Sequence, residues 1–333
     1  MKEPRRLIVN ADGYGMSPGI IRATEECIDF GTVRSLSANV NFAAADGLRA
    51  LVRRHPGLSV GCHLNPVVGP PLLSRKEIPS LVGKDGEFHH GSFEARLARG
   101  EIRLDELRRE LSAQIDRTRE LAGDAFSHVD FHKGFHRSPR LYGLFLDLAR
   151  ASGVGRIRTH RYRVGMETPR PALAHWVYVL RSPSRAAKYA WNLALRARAL
   201  RRGLAMPDSW VQITEMGPKP SRIDLPNYLA LLANLPPGIH EFVAHPGYVD
   251  DELRRYSTYL APREAELRVL RSREFRDALT REGVRLAGYR DIPLRDSGSA
   301  ASRPTAAERR PTPDPAARDA SETPSSEETR WAN

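Results

Sequence analysis

The sequence predicts an α/β fold built from parallel strand–helix units. Short apolar runs alternate with amphipathic helical segments along most of the 333 residues, enough for one large α/β domain or two small ones. Polar residues recur just past the apolar runs, at Asp12, Asn41, His63 and Asn65. Active sites of such folds collect at the carboxyl ends of the strands. These side chains are therefore expected at one mouth, in a closed barrel or an open sheet.

Each element has a local signal. Ser17 is a helix-capping residue and Pro18 is a first-turn proline, so a helix is predicted to begin there. His55-Pro56-Gly57 ends the helix that is predicted at 43–54. A long Pro/Gly-rich loop is expected at 66–92, and Trp210–Thr214 is either a strand or a loop entry to the site. Strands are predicted at 7–11, 35–40, 58–62, 125–136, 157–161, 238–244 and 284–289, and helices at 18–28, 43–54, 103–121, 139–152, 225–235 and 264–282.

Composition narrows the functional classes. The net charge is +12, with 52 Lys and Arg against 40 Asp and Glu, but no nucleic-acid-binding motif accompanies it, so no nucleic acid partner is expected. Cys27 and Cys62 form no disulfide framework and are predicted to be small buried side chains. The absence of a signal peptide or a long apolar run predicts a cytoplasmic protein.

Two segments depart from the strand–helix rhythm. Residues 170–205 mix aromatic and aliphatic side chains with many arginines, which fits an anionic-membrane contact, a substrate lid or a surface helical insertion packed on the barrel. We favour the packed insertion, because basic outer faces are common on surface helices. Residues 296–333 contain almost no large hydrophobic side chains, so this tail is predicted to be disordered.

The segment 128–136 has the densest chemistry in the chain. It contains three of the eleven histidines and one aspartate. In an extended chain, alternate side chains would share one face, and the apolar side chains would occupy the other; the shared face would hold His128, Asp130, His132, Gly134 and His136. A histidine-rich surface turn or histidines bonded within the core are the alternatives. We favour a metal or acid–base site.

The strand-end groups suit metal-assisted hydrolysis. Imidazole nitrogens and carboxylate oxygens commonly bind a catalytic divalent cation that keeps open positions. Such a cation polarises a carbonyl group and lowers the pKa of bound water, while a carboxylate accepts the proton and a histidine protonates a leaving amine. The spacing of these residues alone does not distinguish amide hydrolysis from phosphoester or sugar chemistry.

Five motifs, in order, resemble the YdjC-like carbohydrate deacetylases, the ChbG/HpnK group. They cover roughly residues 5–292, and they are Asn10–Gly15 (compare N-A-D-D-F-G), Gly61–Asn65 (G-x-H-L-N), His128–His132 (H-x-D-x-H), Ala244–Asp251 and Gly288–Asp291. The resemblance implies one domain at 5–292 with a distorted (β/α) barrel. It also implies metal-dependent hydrolysis of the N-acetyl group of an amino sugar or N-acetylated oligosaccharide, with Mg²⁺ as the cation and Zn²⁺ as the alternative.

The resemblance also assigns roles. It makes His63 and His132 metal ligands, Asp12 the general base and His245 a candidate general acid. Asp130 becomes a supporting or alternate ligand. Candidate substrate contacts are Asn65, Arg158 and Tyr248. His128 is expected to support the site and His136 to line its rim, and the sequence leaves a homodimer open.

Two glycines break the family pattern. Gly13 stands where the family has its second aspartate, the expected third protein ligand, and Gly134 stands where the family often has a histidine. Asp12, Asp130 or a water would then complete the metal site. The alternative is a catalytically impaired homologue that binds a carbohydrate without turnover.

Overall fold

The computed structural model describes residues 3–213 and 222–294. These residues belong to one compact unit, Met1–Arg295, which contains the predicted domain 5–292. Thr214 and the tail 296–333, for which disorder is predicted, lie outside the described residues.

Strand β1 (Arg5–Tyr14) lies at the centre of the sheet and pairs with three other strands. It pairs in parallel with β7 (Gly238–Ala244) along one edge. Along its other edge, β8 (Val284–Ala287) pairs with the first half and β2 (Ser35–Ala38) with the second. Its apolar side chains are fully buried, as expected for a central strand of a parallel sheet covered on both faces.

The remaining strands complete a distorted barrel. They are β3 (Ser59–Leu64), β4 (Phe126–Phe131), β5 (Tyr162–Arg163) and β6 (Ser209–Val211), and the strand order is β4-β3-β2-β1-β7-β6-β5. Residues 156 and 157 form only single parallel bridges, one to β4 and one to the segment before β6. Val129 N donates to Arg156 O at 3.0 Å, and Ile157 N donates to Ala205 O at 3.0 Å. The predicted parallel α/β barrel is confirmed.

Helices surround this sheet. They are α1 (Pro18–Phe30), α2 (Leu48–Arg54), α3 (Phe93–Ala98), α4 (Leu104–Ala122), α5 (Pro139–Ala151), α6 (Pro171–Leu180), α7 (Pro183–Arg201), α8 (Leu225–Ala233), α9 (Asp251–Tyr256), α10 (Ala261–Leu270) and α11 (Arg273–Arg281). The single helix predicted at 264–282 is wrong, because Ser272 accepts from Phe275 N and starts a new helix there. The helix predicted from residue 43 begins as a 3₁₀ turn, Ala43–Gly47.

The long loop at 66–92 is held by polar side chains of α4. Glu110 accepts from the backbone N atoms of Leu72 (3.1 Å) and Leu73 (3.0 Å), and Glu106 accepts from Ser80 N at 2.7 Å. Both glutamates are buried. They satisfy backbone donors that would otherwise be unpaired, so a loop without regular structure is anchored to the barrel wall.

Four predicted strands are shorter than expected: the one at 35–40 ends at Ala38, the one at 284–289 ends at Ala287, and two others are shortened near the site. The strand predicted through 136 ends at Phe131, because Lys133 (φ 55°) and Gly134 (φ 69°) are left-handed and turn the chain into a 3₁₀ segment, His132–Arg137. The strand predicted at 157–161 is reduced to isolated bridges followed by β5. The alternation of side chains therefore stops before His136.

A close approach between β3 and β4 makes Gly61 a sensitive position. A Cβ at residue 61 would overlap the imidazole of His128, and both residues are buried. We expect Gly61→Ala to lower the free energy of unfolding by about 1–3 kcal/mol through overpacking. Urea denaturation followed by circular dichroism measures the change.

The matched control is Gly57→Ala. Gly57 is exposed, and the nearest atom to an added Cβ, Nη2 of Arg34, lies 3.5 Å away. A Gly61→Ala protein as stable as the Gly57→Ala protein would contradict this account of strand packing.

Candidate active site

A pocket of about 360 Å³ opens at the carboxyl ends of the strands. Asp12, His63, His132 and Arg158 form its base, and His245 also lines it. Five of the predicted site residues are therefore brought together from positions that span most of the chain. A volume of this size is within the range of small-ligand sites.

Arg158 holds three buried carboxylates at the base of the pocket. Its Nη1 and Nη2 donate to the two carboxylate oxygens of Asp12, at 2.8 and 2.7 Å. Nη2 also lies 2.7 Å from Asp130 Oδ2, and Nε donates to Glu241 Oε1 at 2.9 Å. One guanidinium faces three acids, so the cluster carries an excess of acidic groups over its single cation.

The ionisation of these acids is set by burial and by Arg158. Burial by itself would raise the pKa of Asp12 and Asp130, but the charges of Arg158 and His63 and the hydrogen bonds to the carboxylates together outweigh it and hold both pKa values below their usual range. For Glu241 burial wins and raises the pKa to about 7. The cluster therefore contains two firmly ionised carboxylates and a third that titrates near neutral pH.

The ring of His63 is oriented by Asp130. Its Nδ1 lies 2.8 Å from Asp130 Oδ1, which assigns the Nδ1 hydrogen to this bond. Its Nε2 is thereby directed toward Nδ1 of His132, at 3.2 Å, and Oδ2 of Asp12, at 4.0 Å. Burial lowers the pKa of His63, but Asp130 and Asp12 more than offset this and raise it above the usual value.

These donor atoms fit a divalent cation. Burial holds the pKa of His132 well below its usual value, so its ring is neutral, and its buried Nε2 has no hydrogen-bond partner in the part of the chain that the structure describes. Two imidazole nitrogens 3.2 Å apart match neighbouring ligands on one cation, given metal–nitrogen distances of about 2.0–2.1 Å. Ligand atoms of Asp12, His63 and Asp130 also lie within 4.8 Å of one another. The acidic excess around Arg158 would balance the added positive charge.

His245 lines the same pocket and lies beside Glu266. Its backbone N donates to Glu266 Oε2, and its Nδ1 lies 3.9 Å from the same oxygen. Burial and the nearby charge of Arg263 lower the pKa of His245 to about 3, so the ring is neutral at pH 7. Burial raises the pKa of Glu266 to about 7, although Tyr259 donates to its Oε1 at 2.8 Å.

Gly13 lies beside the guanidinium group of Arg263. A Cβ at this position would lie 3.8 Å from Ile20 Cδ1 and 3.9 Å from Nη1 of Arg263. That Nη1 is buried and has no hydrogen-bond partner among the described residues. The backbone of Gly13 has φ +100°, a conformation that residues with side chains rarely adopt. The space expected for a ligand carboxylate thus adjoins an arginine.

The sequence matches the YdjC-like protein family over residues 6–281. This chain belongs to that family. A mouse protein named carbohydrate deacetylase is 34% identical over 261 residues, covering 74% of this chain and 80% of the mouse protein. A chitooligosaccharide deacetylase of Serratia marcescens is 29% identical over 290 residues, covering 86% and 98% of the two chains.

A solved structure agrees with the family assignment. A protein of Enterococcus faecalis V583, whose description proposes cellobiose-phosphate cleavage, superposes with a TM-score of 0.65 and 26% sequence identity. The match covers 86% of this chain and 98% of that protein. The two proteins therefore share their overall fold.

Four predicted residues lie away from the base of the pocket. His128 stacks on Tyr289 with ring centroids 3.6 Å apart. His136 lines the pocket wall and packs on Phe145. Asn65 is fully buried and uses its side chain in the turn that follows β3, where its Oδ1 accepts from the N atoms of residues 67 and 68, each at 3.1 Å.

Tyr248 is likewise outside the pocket lining, and its hydroxyl donates to Glu26 Oε2 at 2.8 Å. Arg158 does line the pocket, but its guanidinium is committed to the three carboxylates. The substrate-binding roles of Asn65, Arg158 and Tyr248 stay predictions, and none of the three presents a free polar group to the pocket base.

Sequence reasoning missed Glu241, Glu266, Arg263 and Tyr259. Glu241 had a usable signal, because a charged residue inside an apolar strand such as 238–244 needs a buried partner. The other three lie on or next to α10, whose predicted start at residue 264 excluded Arg263. No motif marks them, so only the packing of α10 against the strand ends reveals their place.

Removing Arg158 should destabilise the protein in a pH-dependent way. We expect Arg158→Met to cost about 3–5 kcal/mol at pH 7, since three buried carboxylates lose their counter-ion. The usual pKa of an aspartate is 3.8. In the wild-type protein the lowered pKa values of Asp12 and Asp130 stabilise the folded state at pH values above 3.8, and this contribution is lost as the pH falls. The deficit of the variant should therefore shrink toward low pH.

Denaturant unfolding at a series of pH values measures this deficit. Arg150→Met, which removes an exposed arginine of α5, is the matched control and should leave stability nearly unchanged at every pH. A deficit for Arg158→Met that does not depend on pH would argue against the electrostatic origin.

Proposed function

We propose that this protein is a divalent-metal-dependent hydrolase that removes the N-acetyl group from an amino sugar or an N-acetylated oligosaccharide. The observation that carries the proposal is the pair of imidazole nitrogens of His63 and His132, 3.2 Å apart beside Asp12 in the pocket. The names of the relatives support the substrate class, since the mouse and Serratia marcescens proteins are named deacetylases of carbohydrates.

In this proposal His63 and His132 hold the cation, and Asp130 fixes the ring of His63 through Nδ1. The cation would polarise the acetyl carbonyl and lower the pKa of the attacking water. Asp12 is ionised and lies 4.0 Å from His63 Nε2, so its carboxylate can both complete the ligand set and accept the proton of the water. Arg158 keeps that carboxylate charged and in place.

The leaving amine needs a proton, and His245 with Glu266 can supply one. His245 is neutral at pH 7, so its ring must first gain a proton before it acts as general acid. Glu266, with its pKa raised to about 7, lies 3.9 Å from His245 Nδ1 and carries a proton in part of the population at neutral pH. We assign the pair to proton delivery, with His245 in contact with the substrate.

The second candidate function is carbohydrate binding without turnover. The observation that favours it is the position of Gly13, where the expected carboxylate is missing and Arg263 adjoins the space. A cation held by fewer carboxylates binds more weakly, and a nearby guanidinium weakens it further. Catalysis would then be lost while the pocket still binds a sugar.

The family resemblance favours Mg²⁺, whereas a donor set with two imidazoles suits Zn²⁺ better. A cytoplasmic location and a homodimer stay predictions.

Removing either proposed ligand should abolish activity. We expect His63→Ala and His132→Ala each to reduce acetate release from N-acetylated chitooligosaccharides by more than about 100-fold, because the cation is lost. Elemental analysis of the purified proteins should show the metal in the wild type and its loss in both variants. His55→Ala, a change at a half-buried histidine outside the pocket lining, is the control for both measurements.

Wild-type protein without bound metal and without acetate release would overturn the proposal. Metal in the wild type with full activity in both variants would place the ligands elsewhere.

Restoring the family aspartate tests the second candidate. We expect Gly13→Asp to raise neither metal content nor acetate release, because φ +100° disfavours a side chain and the new carboxylate would pair with Arg263. The measurement is the rate of acetate release at saturating metal. A gain of about tenfold or more, equivalent to about 1.4 kcal/mol, would instead show that the natural site is impaired.

A further inference from the structure

Helix α6 carries a row of exposed apolar side chains. Leu173, Trp176, Val177 and Leu180 have exposed fractions of 56, 50, 59 and 69%. Their spacing of i, i+3, i+4 and i+7 places all four on one face of the helix. Trp191 and Leu193 of α7 are also exposed, so six of the eight large hydrophobic side chains that are exposed in the described part of the chain belong to these two helices.

The other face of α6 is already buried. His175 and Val179 are buried, and Val179 packs with Tyr162, Val164 and Tyr189 in a small core beneath the helix. The sequence of α6, PALAHWVYVL, contains no charged residue. An ordinary surface helix is polar on its outer face, whereas a helix that is apolar all round is covered by protein or by lipid.

The flanking charges are all of one sign. Between Thr168 and Pro207 the chain has eight lysine and arginine residues and no aspartate or glutamate. Arg170 and Arg181 stand at the two ends of α6, and both are exposed, as are Lys188 and Arg198 of α7. A row of apolar side chains with lysines and arginines on its flanks complements a surface that has an apolar interior and negatively charged outer groups.

We propose that this surface, formed by α6 and α7, docks on a lipid bilayer that contains anionic lipids. The apolar row and Trp176 would enter the boundary between headgroups and acyl chains, where tryptophan side chains are enriched. The lysines and arginines would contact the anionic headgroups. Among the described residues no helix is long and apolar enough to cross a membrane, so the contact is peripheral.

A second copy of this chain fits the surface less well. In a two-fold dimer the same patch lies on both sides of the interface. The basic helices α6 and α7 of one copy would therefore face the same basic helices of the other copy. No acidic residue of the segment could offset that repulsion. The charge pattern therefore favours an anionic lipid surface over self-association.

The docking surface is joined to the wall of the pocket. Nε1 of Trp191 donates to the backbone oxygen of Arg137 at 3.0 Å, and Arg137 lines the pocket. Tyr142 links the same regions, since its hydroxyl donates to Leu195 O at 2.7 Å and lies 2.9 Å from Nε2 of His160, another pocket residue. Docking thus involves helices that support the pocket, although the proposal does not depend on which reaction takes place there.

Vesicle co-sedimentation of the full chain tests the proposal. The probes are vesicles of phosphatidylcholine alone and of phosphatidylcholine mixed with phosphatidylglycerol. We expect binding to the mixed vesicles, little binding to phosphatidylcholine alone, and weaker binding as salt is raised. Replacing the apolar row with serine (Leu173→Ser, Trp176→Ser, Val177→Ser and Leu180→Ser) should weaken binding by about tenfold or more.

The matched control replaces two exposed leucines outside these helices, Leu104→Ser and Leu294→Ser, and should bind as the wild type does. If the four-residue variant does not fold, as judged by its thermal melt, Arg181→Glu with Lys188→Glu provides the second test, because both side chains are exposed. This charge variant should lose binding to the mixed vesicles.

Three outcomes would overturn the proposal. One is a wild-type protein that does not sediment with the mixed vesicles. Another is equal binding by the wild type and by folded variants of the docking surface. The third is a wild-type dimer in analytical ultracentrifugation that the apolar-row variant abolishes, together with no vesicle binding, since a second copy would then cover the surface.

Discussion

The ion cluster around Arg158 is the constraint on which the site depends. Its guanidinium binds Asp12 of β1, Asp130 of β4 and Glu241 of β7, so three strands are tied together at the end of the barrel where the pocket opens. Buried charges are costly unless they are paired, and this pairing keeps Asp12 and Asp130 ionised. The same interaction that holds the strand ends together therefore also keeps these two carboxylates charged beside the pocket.

The balance of charge across the pocket explains how this member of the YdjC-like family differs from the family motif. The wall near Arg158 has more acids than cations and suits a metal ion between His63 and His132. The wall near Gly13 presents Arg263, a buried guanidinium with an unpartnered nitrogen. The pocket is thus electrostatically divided, with a cation-accepting base and a positively charged side.

Packing around the pocket links its chemistry to the outer surface. Trp191 and Tyr142 connect α7 with residues of the pocket wall through hydrogen bonds to Arg137 and His160. The basic helix α7 is therefore part of the support of the site, and the apolar helix α6 packs beside it. Their outward face is unusual for a surface helix because apolar side chains lie where charged ones are expected.

The sequence by itself determined the parallel strand–helix units and placed Asp12 and His63 at one edge, because parallel strands bring their carboxyl ends to one edge, and the family resemblance added the barrel and the roles of His132 and His245. Only the tertiary structure showed that the strand holding His128 ends at Phe131, where left-handed Lys133 and Gly134 turn the chain. It alone paired Arg158 with Glu241, 83 residues apart, and set Arg263 beside Gly13. Local pattern fixes which face or end of an element a residue occupies, whereas partners distant in sequence depend on how the elements pack.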